Sequence, residues 1–114
     1  MKKWILFIAA ILLVCSSVAR ADDIDDGVKA YDEGNYVQAL KLLQPLATQG
    51  NAVAQYNLGV MYARGKGVIQ DDQEALKWYH LAAEQGHAAA QNNLGWMYAR
   101  GKGVIQDYQE ARKW

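Results

Sequence analysis

Gln55-Tyr56-Asn57-Leu58-Gly59-Val60-Met61-Tyr62-Ala63-Arg64-Gly65-Lys66-Gly67-Val68-Ile69-Gln70-Asp71-Asp72-Gln73-Glu74-Ala75-Leu76-Lys77-Trp78 returns thirty-six residues later as Gln91 to Trp114, with twenty of its twenty-four positions unchanged. A period of this length belongs to architectures in which one small unit is stacked repeatedly, because such a unit cannot bury its apolar face alone. Each unit reads as two helices. Helix A covers about Ala52 to Arg64, where Ala54, Leu58, Met61 and Tyr62 recur at helical spacing on one side. Gly65 and Gly67 end it, since glycine takes the positive φ that closes a helix. Helix B restarts at Asp71, and Glu74 three residues on completes a capping-box pattern that Asp107 and Glu110 repeat. Gly86 ends this second helix, as Gly50 does one unit earlier. Small residues at Gly59, Ala75 and Ala82 permit close helix approach, with Leu58, Tyr62, Trp78 and Tyr79 filling the space between.

A diverged earlier copy keeps the same shift: Ala39-Leu40-Lys41 aligns with Ala75-Leu76-Lys77, and Gln49-Gly50 with Gln85-Gly86. Its inter-helix loop is four residues shorter, so it reads as an N-terminal capping unit. Pro45 falls inside its second helix, where it removes a donor and crowds the carbonyl of Lys41, and a kink or a fresh turn is expected there. The organisation expected is therefore a leader over 1–21, a capping unit over 22–50, a full repeat over 51–86 and a partial repeat over 87–114. The fold class is all-α, a solenoid of helix-turn-helix units.

The motif Ala54-Gln55-Tyr56-Asn57-Leu58-Gly59-Val60-Met61-Tyr62, followed by Gly65-Lys66-Gly67-Val68, Asp71 and Ala75-Leu76-Lys77-Trp78-Tyr79 through Ala82-Ala83-Glu84-Gln85-Gly86, resembles the Sel1-like repeat, a relative of the tetratricopeptide repeat. The likeness covers nearly all of Val28 to Trp114, and the first unit, with Tyr31-Asp32-Glu33-Gly34-Asn35-Tyr36, leans toward the tetratricopeptide form. The resemblance implies a right-handed α-solenoid whose A helices line a concave groove, and an adaptor that holds proteins together, often in the bacterial envelope. A fold alone does not name a partner.

The start of the chain bears on compartment. Met1-Lys2-Lys3 is a basic opening followed by an apolar run from Trp4 to Val14, and Ala19 and Ala21 stand at signal-peptidase spacing. The run is about half the ~20 residues of a membrane-spanning helix. Cleavage is expected after Ala21, giving a periplasmic or secreted protein with no stable membrane span. Val14 before Cys15 disfavours lipidation, which wants a small residue there. Of the chain's twelve Lys and Arg and twelve Asp and Glu, the leader holds Lys2, Lys3 and Arg20 and no acid, so the remainder carries nine against twelve, a net charge of minus three. That remainder has no cysteine and no disulfide, and it lacks the basic footprint that nucleic acid requires.

Residues for chemistry are sparse. His80 and His87 with Glu84 fall short of the three or four good ligands of a zinc site. Gly59 to Gly67 has the wrong spacing for a phosphate-binding loop, with Gly67 where Ser or Thr is needed. Cysteine-rich Sel1-like proteins are associated with β-lactam binding or hydrolysis, but Ser-x-x-Lys and the paired cysteines of that subgroup are missing here. No enzyme activity, metal or cofactor is expected. β-Lactam chemistry and a self-pairing structural element stand as the alternatives to an adaptor.

The two copies differ at Tyr56/Asn92, Val60/Trp96, Asp72/Tyr108 and Leu76/Arg112. Matched positions are assigned to stacking, and the mismatches are read as free of that duty. In helix A the mismatches extend through Val53, Asn57 and Arg64 to a stripe opposite the Leu58–Met61 side. Tyr56, Asn57, Val60, Arg64, Asn92, Asn93, Trp96 and Arg100 form the expected protein-binding wall, with Ala89 beside them. Trp, Tyr and Arg dominate interface energetics, and an amide both donates to and accepts from an extended peptide backbone. The partial third unit, with Met97, Tyr98 and Trp114 to cover, is expected to fray, self-associate or be held by a partner.

Overall fold

A computed structural model describes residues 21–114, so the expected leader and Cys15 lie outside the described residues, apart from Ala21. Six α-helices follow one another: α1 (Ala21–Asp32), α2 (Tyr36–Thr48), α3 (Ala52–Arg64), α4 (Asp72–Glu84), α5 (Ala88–Arg100) and α6 (Tyr108–Lys113). Consecutive helices pack on each other in antiparallel pairs, and the described chain is an α-solenoid of three helix-turn-helix units. The α1–α2 connection, residues 33–35, is four residues shorter than the α3–α4 connection, residues 65–71.

Within the second unit, the long loop closes by returning to the helix it leaves. Gly65 adopts φ 65° and caps α3, and Lys66 N–H also donates to the Met61 carbonyl at 2.9 Å. Asp71 N–H donates to the Tyr62 carbonyl at 3.0 Å and Gln70 Nε2 to the Ala63 carbonyl at 3.2 Å, so the exposed end of the helix is satisfied by its own loop. This arrangement corrects the capping-box expectation. The Asp71 carboxylate accepts from Gln73 and Glu74 N–H, but the reciprocal bond does not form because Tyr62 already takes the Asp71 donor, and Glu74 turns to Lys77 at 3.8 Å. The third unit repeats the device through Asp107 and Tyr98.

At Pro45 no fresh turn begins, since α2 continues through it from Tyr36 to Thr48. Pro45 itself is exposed while Leu46 and Ala47 beyond it are buried, so the apolar face continues past the missing donor. The burial of Leu46 and Ala47 stabilises the last turn against the lost bond.

Stacking divides the interior into two cores. One gathers Ala39, Leu43 and Leu46 of the first unit with Ala54, Leu58 and Met61 of the second. The other gathers Val60, Ala75, Tyr79 and Ala82 of the second with Ala90, Leu94 and Met97 of the third. Side-chain amides stitch the same joints: Gln55 Nε2 donates to the Ala47 carbonyl at 3.2 Å, Gln91 Nε2 to the Ala83 carbonyl at 3.1 Å, and Gln85 Nε2 to both Gly50 O and Gln55 Oε1 at 2.9 Å. Loops lock on as well. Gly67 and Gly103 have φ of 76° and 71°, and a Cβ on them would lie 3.0 Å from the Tyr36 carbonyl oxygen and 2.6 Å from the Asp72 carbonyl oxygen of the preceding unit. Both the backbone angle and the room demand glycine there.

Candidate groove between the second and third units

Where α5 crosses the end of α3, a concavity of about 390 Å³ is lined by Arg64, Asp72, Tyr79, Asn93, Trp96 and Lys102, among others. Its floor is set by helix approach. Gly59 on α3 has no side chain, so the Tyr79 ring of α4 lies where a Cβ would stand, 2.7 Å from it. Tyr79 is therefore nearly buried, and its hydroxyl hydrogen-bonds with the side chain of Asn93. Burial pushes the Tyr79 phenol up to about 12 from 10.0, with the Asn93 bond acting in the opposite direction. The phenol thus stays neutral, a fixed polar group at the base of the groove.

Trp96 stands at the rim, 51% exposed, with the Arg100 guanidinium 5.4 Å from its ring centroid. That stacking holds the indole in place without covering it. Arg64 enters from the preceding unit, exposed, with Nη1 3.5 Å from the Tyr31 hydroxyl, and Lys102 adds a second cation against the single Asp72 carboxylate. An indole face, two cations and an orienting amide surround a space of side-chain size. Such a site suits an acidic residue next to an apolar one.

The residues expected to form one wall are thus partly separated. Arg64, Asn93 and Trp96 converge on this concavity, with Arg100 behind Trp96. Asn57 sits on the same helix as Arg64 but turns its amide to the Val53 carbonyl at 2.8 Å, one turn back, and Val53 is 39% exposed beside it. Tyr56 and Val60 do not join. Tyr56 stacks on His87 at 4.7 Å and meets the Tyr79 ring at a tilt, centroids 5.8 Å apart, while Val60 is buried in the core shared with the third unit. Asn92 is exposed one turn before Trp96 and lines a second concavity that Trp96 also borders, and Ala89 is exposed.

This split corrects the premise that mismatched positions are free of stacking. All four of the second unit's mismatched residues face the third unit: Tyr56 through His87, Val60 and Leu76 in the shared core, and Asp72 through its carbonyl against Gly103. Sequence reasoning missed Tyr79 and Lys102 as groove residues. Both lie outside the helix A stripe, and only the close Gly59 approach and the return of the 101–107 loop bring them in.

The histidines have structural employment. His87 caps α5, its Nδ1 accepting from Ala90 N–H at 3.2 Å, and His80 Nδ1 lies 3.1 Å from a Glu84 carboxylate oxygen. Among the described residues no three His, Cys, Asp or Glu side chains gather as metal ligands, and no helix is long and apolar enough to cross a membrane.

Comparison with known proteins agrees with the motif. The Sel1 repeat model matches residues 25–51, 52–87 and 88–114, so it takes in the first unit as well. A Sel1 repeat protein from Oxalobacter formigenes superposes with a TM-score of 0.77 at 40% identity, over 83% of this chain and 38% of that one. A protective antigen of uropathogenic Escherichia coli with an SLR fold gives 0.75 at 41% identity, over 81% of this chain and 21% of that one. An exopolysaccharide production negative regulator of Rhizobium leguminosarum bv. viciae is 36% identical over 61% of this chain, which spans 32% of that protein. The chain therefore corresponds to about a third or less of the length of two of these relatives. With three consecutive matches spanning most of its length, it belongs to the Sel1 repeat family.

Proposed function

We propose that the chain is a non-enzymatic protein-interaction adaptor of the cell envelope, holding an acidic, partly apolar peptide segment in the groove between α3 and α5. The observation that carries this reading is Trp96, half exposed at the rim of a concavity that also holds Arg64, Asn93 and Lys102. A large aromatic side chain left in water beside two cations costs stability that binding recovers. The Rhizobium relative is named a regulator, a role a partner-binding scaffold fills without chemistry of its own. Placement in the periplasm or outside the cell rests on the basic start, the short apolar run and Ala19/Ala21.

A pull-down from envelope extract with wild-type and Trp96→Ala protein tests the groove. A partner captured by the wild type and lost with the substitution supports it, and equal capture by both overturns it. The mass of the protein recovered from the envelope tests export. It is expected to start at Asp22, and a species retaining Met1 or beginning at a lipid-modified Cys15 contradicts the processing.

A further inference from the structure

Gln55 and Gln91 bridge the two joints between units in the same way, but the residue that caps the incoming helix differs. At the first joint Asn51 caps α3, its side-chain oxygen accepting from Ala54 N–H at 2.9 Å. At the second, thirty-six residues on, the cap is His87, whose Nδ1 accepts from Ala90 N–H at 3.2 Å where α5 begins. The amide oxygen of asparagine accepts at any pH. An imidazole nitrogen accepts only while it carries no proton, and histidine is the ordinary side chain that changes charge between pH 5 and 8.

His87 is half-buried in the joint, with its ring stacked on that of Tyr56 at 4.7 Å. Tyr56 is the titratable group that faces it from α3. Among the described residues no carboxylate pairs with His87. Glu84, at this end of α4, is taken by His80 at 3.1 Å, α5 carries no charge before Arg100, and the turn over 49–51 carries none. A proton on Nδ1 would set a second donor against Ala90 N–H, so the cap would be lost. The charge it brings is repelled by the positive end of α5 and attracted by the face of the Tyr56 ring, two effects of similar size, so the lost cap decides the sign. Folding uses the imidazole without a proton on Nδ1, and stability present at pH 8 is lost as the pH falls to 5.

We infer that His87 makes the joint between the second and third units acid-sensitive: its protonation uncaps α5 and loosens that helix, while the joint capped by Asn51 stays closed. Asn93 and Trp96 stand on α5, so the groove loosens over the same pH range. That consequence rests on the groove reading, whereas the joint itself is tested without any ligand. The chain's other histidine, His80, acts in the opposite sense, since a proton on it strengthens its pair with Glu84 inside α4.

Thermal unfolding of the full chain at pH 8 and pH 5 tests the inference, with His87→Asn, which carries the cap of the first joint, and His80→Gln as a control. The carboxylates are common to all three proteins, so the differences isolate the imidazoles. On going from pH 8 to pH 5, wild type is expected to lose about 4–8 °C more in Tm than His87→Asn does, and His80→Gln at least as much as wild type. Hydrogen exchange locates the loss. The protection factor of Ala90 falls about fivefold relative to that of Ala54 in wild type and keeps its ratio in His87→Asn. Parallel pH profiles for wild type and His87→Asn overturn the inference, as does a loss abolished by His80→Gln, or protection that falls equally at Ala90 and Ala54.

Discussion

Gly59 and Gly95 occupy the same motif position in two units, yet replacing each with alanine is expected to have different consequences. A helix gains about 1 kcal/mol when an interior glycine becomes alanine, and both sites share that gain. At Gly59 the new Cβ would lie 2.7 Å from two carbons of the Tyr79 ring, well inside van der Waals contact. Tyr79 cannot swing away, because it is 4% exposed, flanked by Tyr56 and tied to Asn93. Overpacking of this kind costs about 1–3 kcal/mol, and forcing the helices apart also loosens the core shared with α5. The net expectation for Gly59→Ala is a loss of up to about 2 kcal/mol, or a fall in Tm of up to about 10 °C. At Gly95 the nearest atom is the Ala111 carbonyl oxygen at 3.1 Å, on α6, a helix of six residues none of which is buried. A shift of a few tenths of an ångström relieves it, so much of the helix gain survives and Gly95→Ala is expected to be as stable as wild type or up to about 1 kcal/mol more stable. Urea and thermal unfolding followed by helix circular dichroism measure both. If Gly59→Ala proves as stable as Gly95→Ala, the close α3–α4 approach does not set the groove floor as described.

Three further outcomes follow from the same geometry. The raised Tyr79 phenol favours the folded state while neutral in both states, so its contribution is intact below pH 10 and lost as pH rises from 10 to about 12. The difference between wild type and Tyr79→Phe across that window should reach up to about 2–3 kcal/mol, and parallel pH profiles would refute it. Gln55→Ala removes one of two donors from the Ala47 carbonyl, which keeps the Gly50 N–H at 3.1 Å, and frees Gln85 from one of its two acceptors, at an expected cost of about 0.5–1.5 kcal/mol in urea unfolding. Asp71→Ala removes an N-cap accepting two backbone donors and should cost about 1 kcal/mol, whereas Glu74→Ala, whose carboxylate makes no reciprocal cap, should cost under about 0.5, a contrast absent if the capping box closes.

Much of the architecture was legible in the residues because local rules and stacking agree. The α3 bounds, Ala52 to Arg64, follow from the Leu58–Met61 spacing and the Gly65 stop, and the short first loop follows from the alignment. The capping box misled because Asp71 N–H has a second acceptor, Tyr62 O, which is adjacent only once the loop has folded back. Pro45 does not end α2, because the burial of Leu46 and Ala47 beyond it, which propensity ignores, holds the last turn. The candidate site was half readable. Trp96, Asn93 and Arg64 share a stripe that helix spacing reveals, but the same stripe contains Val60, and only the position of α5 separates exposed from buried. Differences between repeats looked like freedom from packing. In the second unit they mark the face turned to the third, which periodicity along one helix cannot distinguish from a groove.

The central claim is that the α3–α5 groove binds peptide through Trp96 and its flanking cations, and a peptide-display selection against the purified protein tests it most directly. The account predicts enriched sequences pairing Asp or Glu with an aromatic or aliphatic residue, whose affinity falls by about tenfold or more in both Trp96→Ala and Arg64→Ala while Arg112→Glu binds as wild type does. Selected peptides that bind Trp96→Ala and Arg64→Ala as tightly as wild type, or a selection yielding no binders, would contradict it.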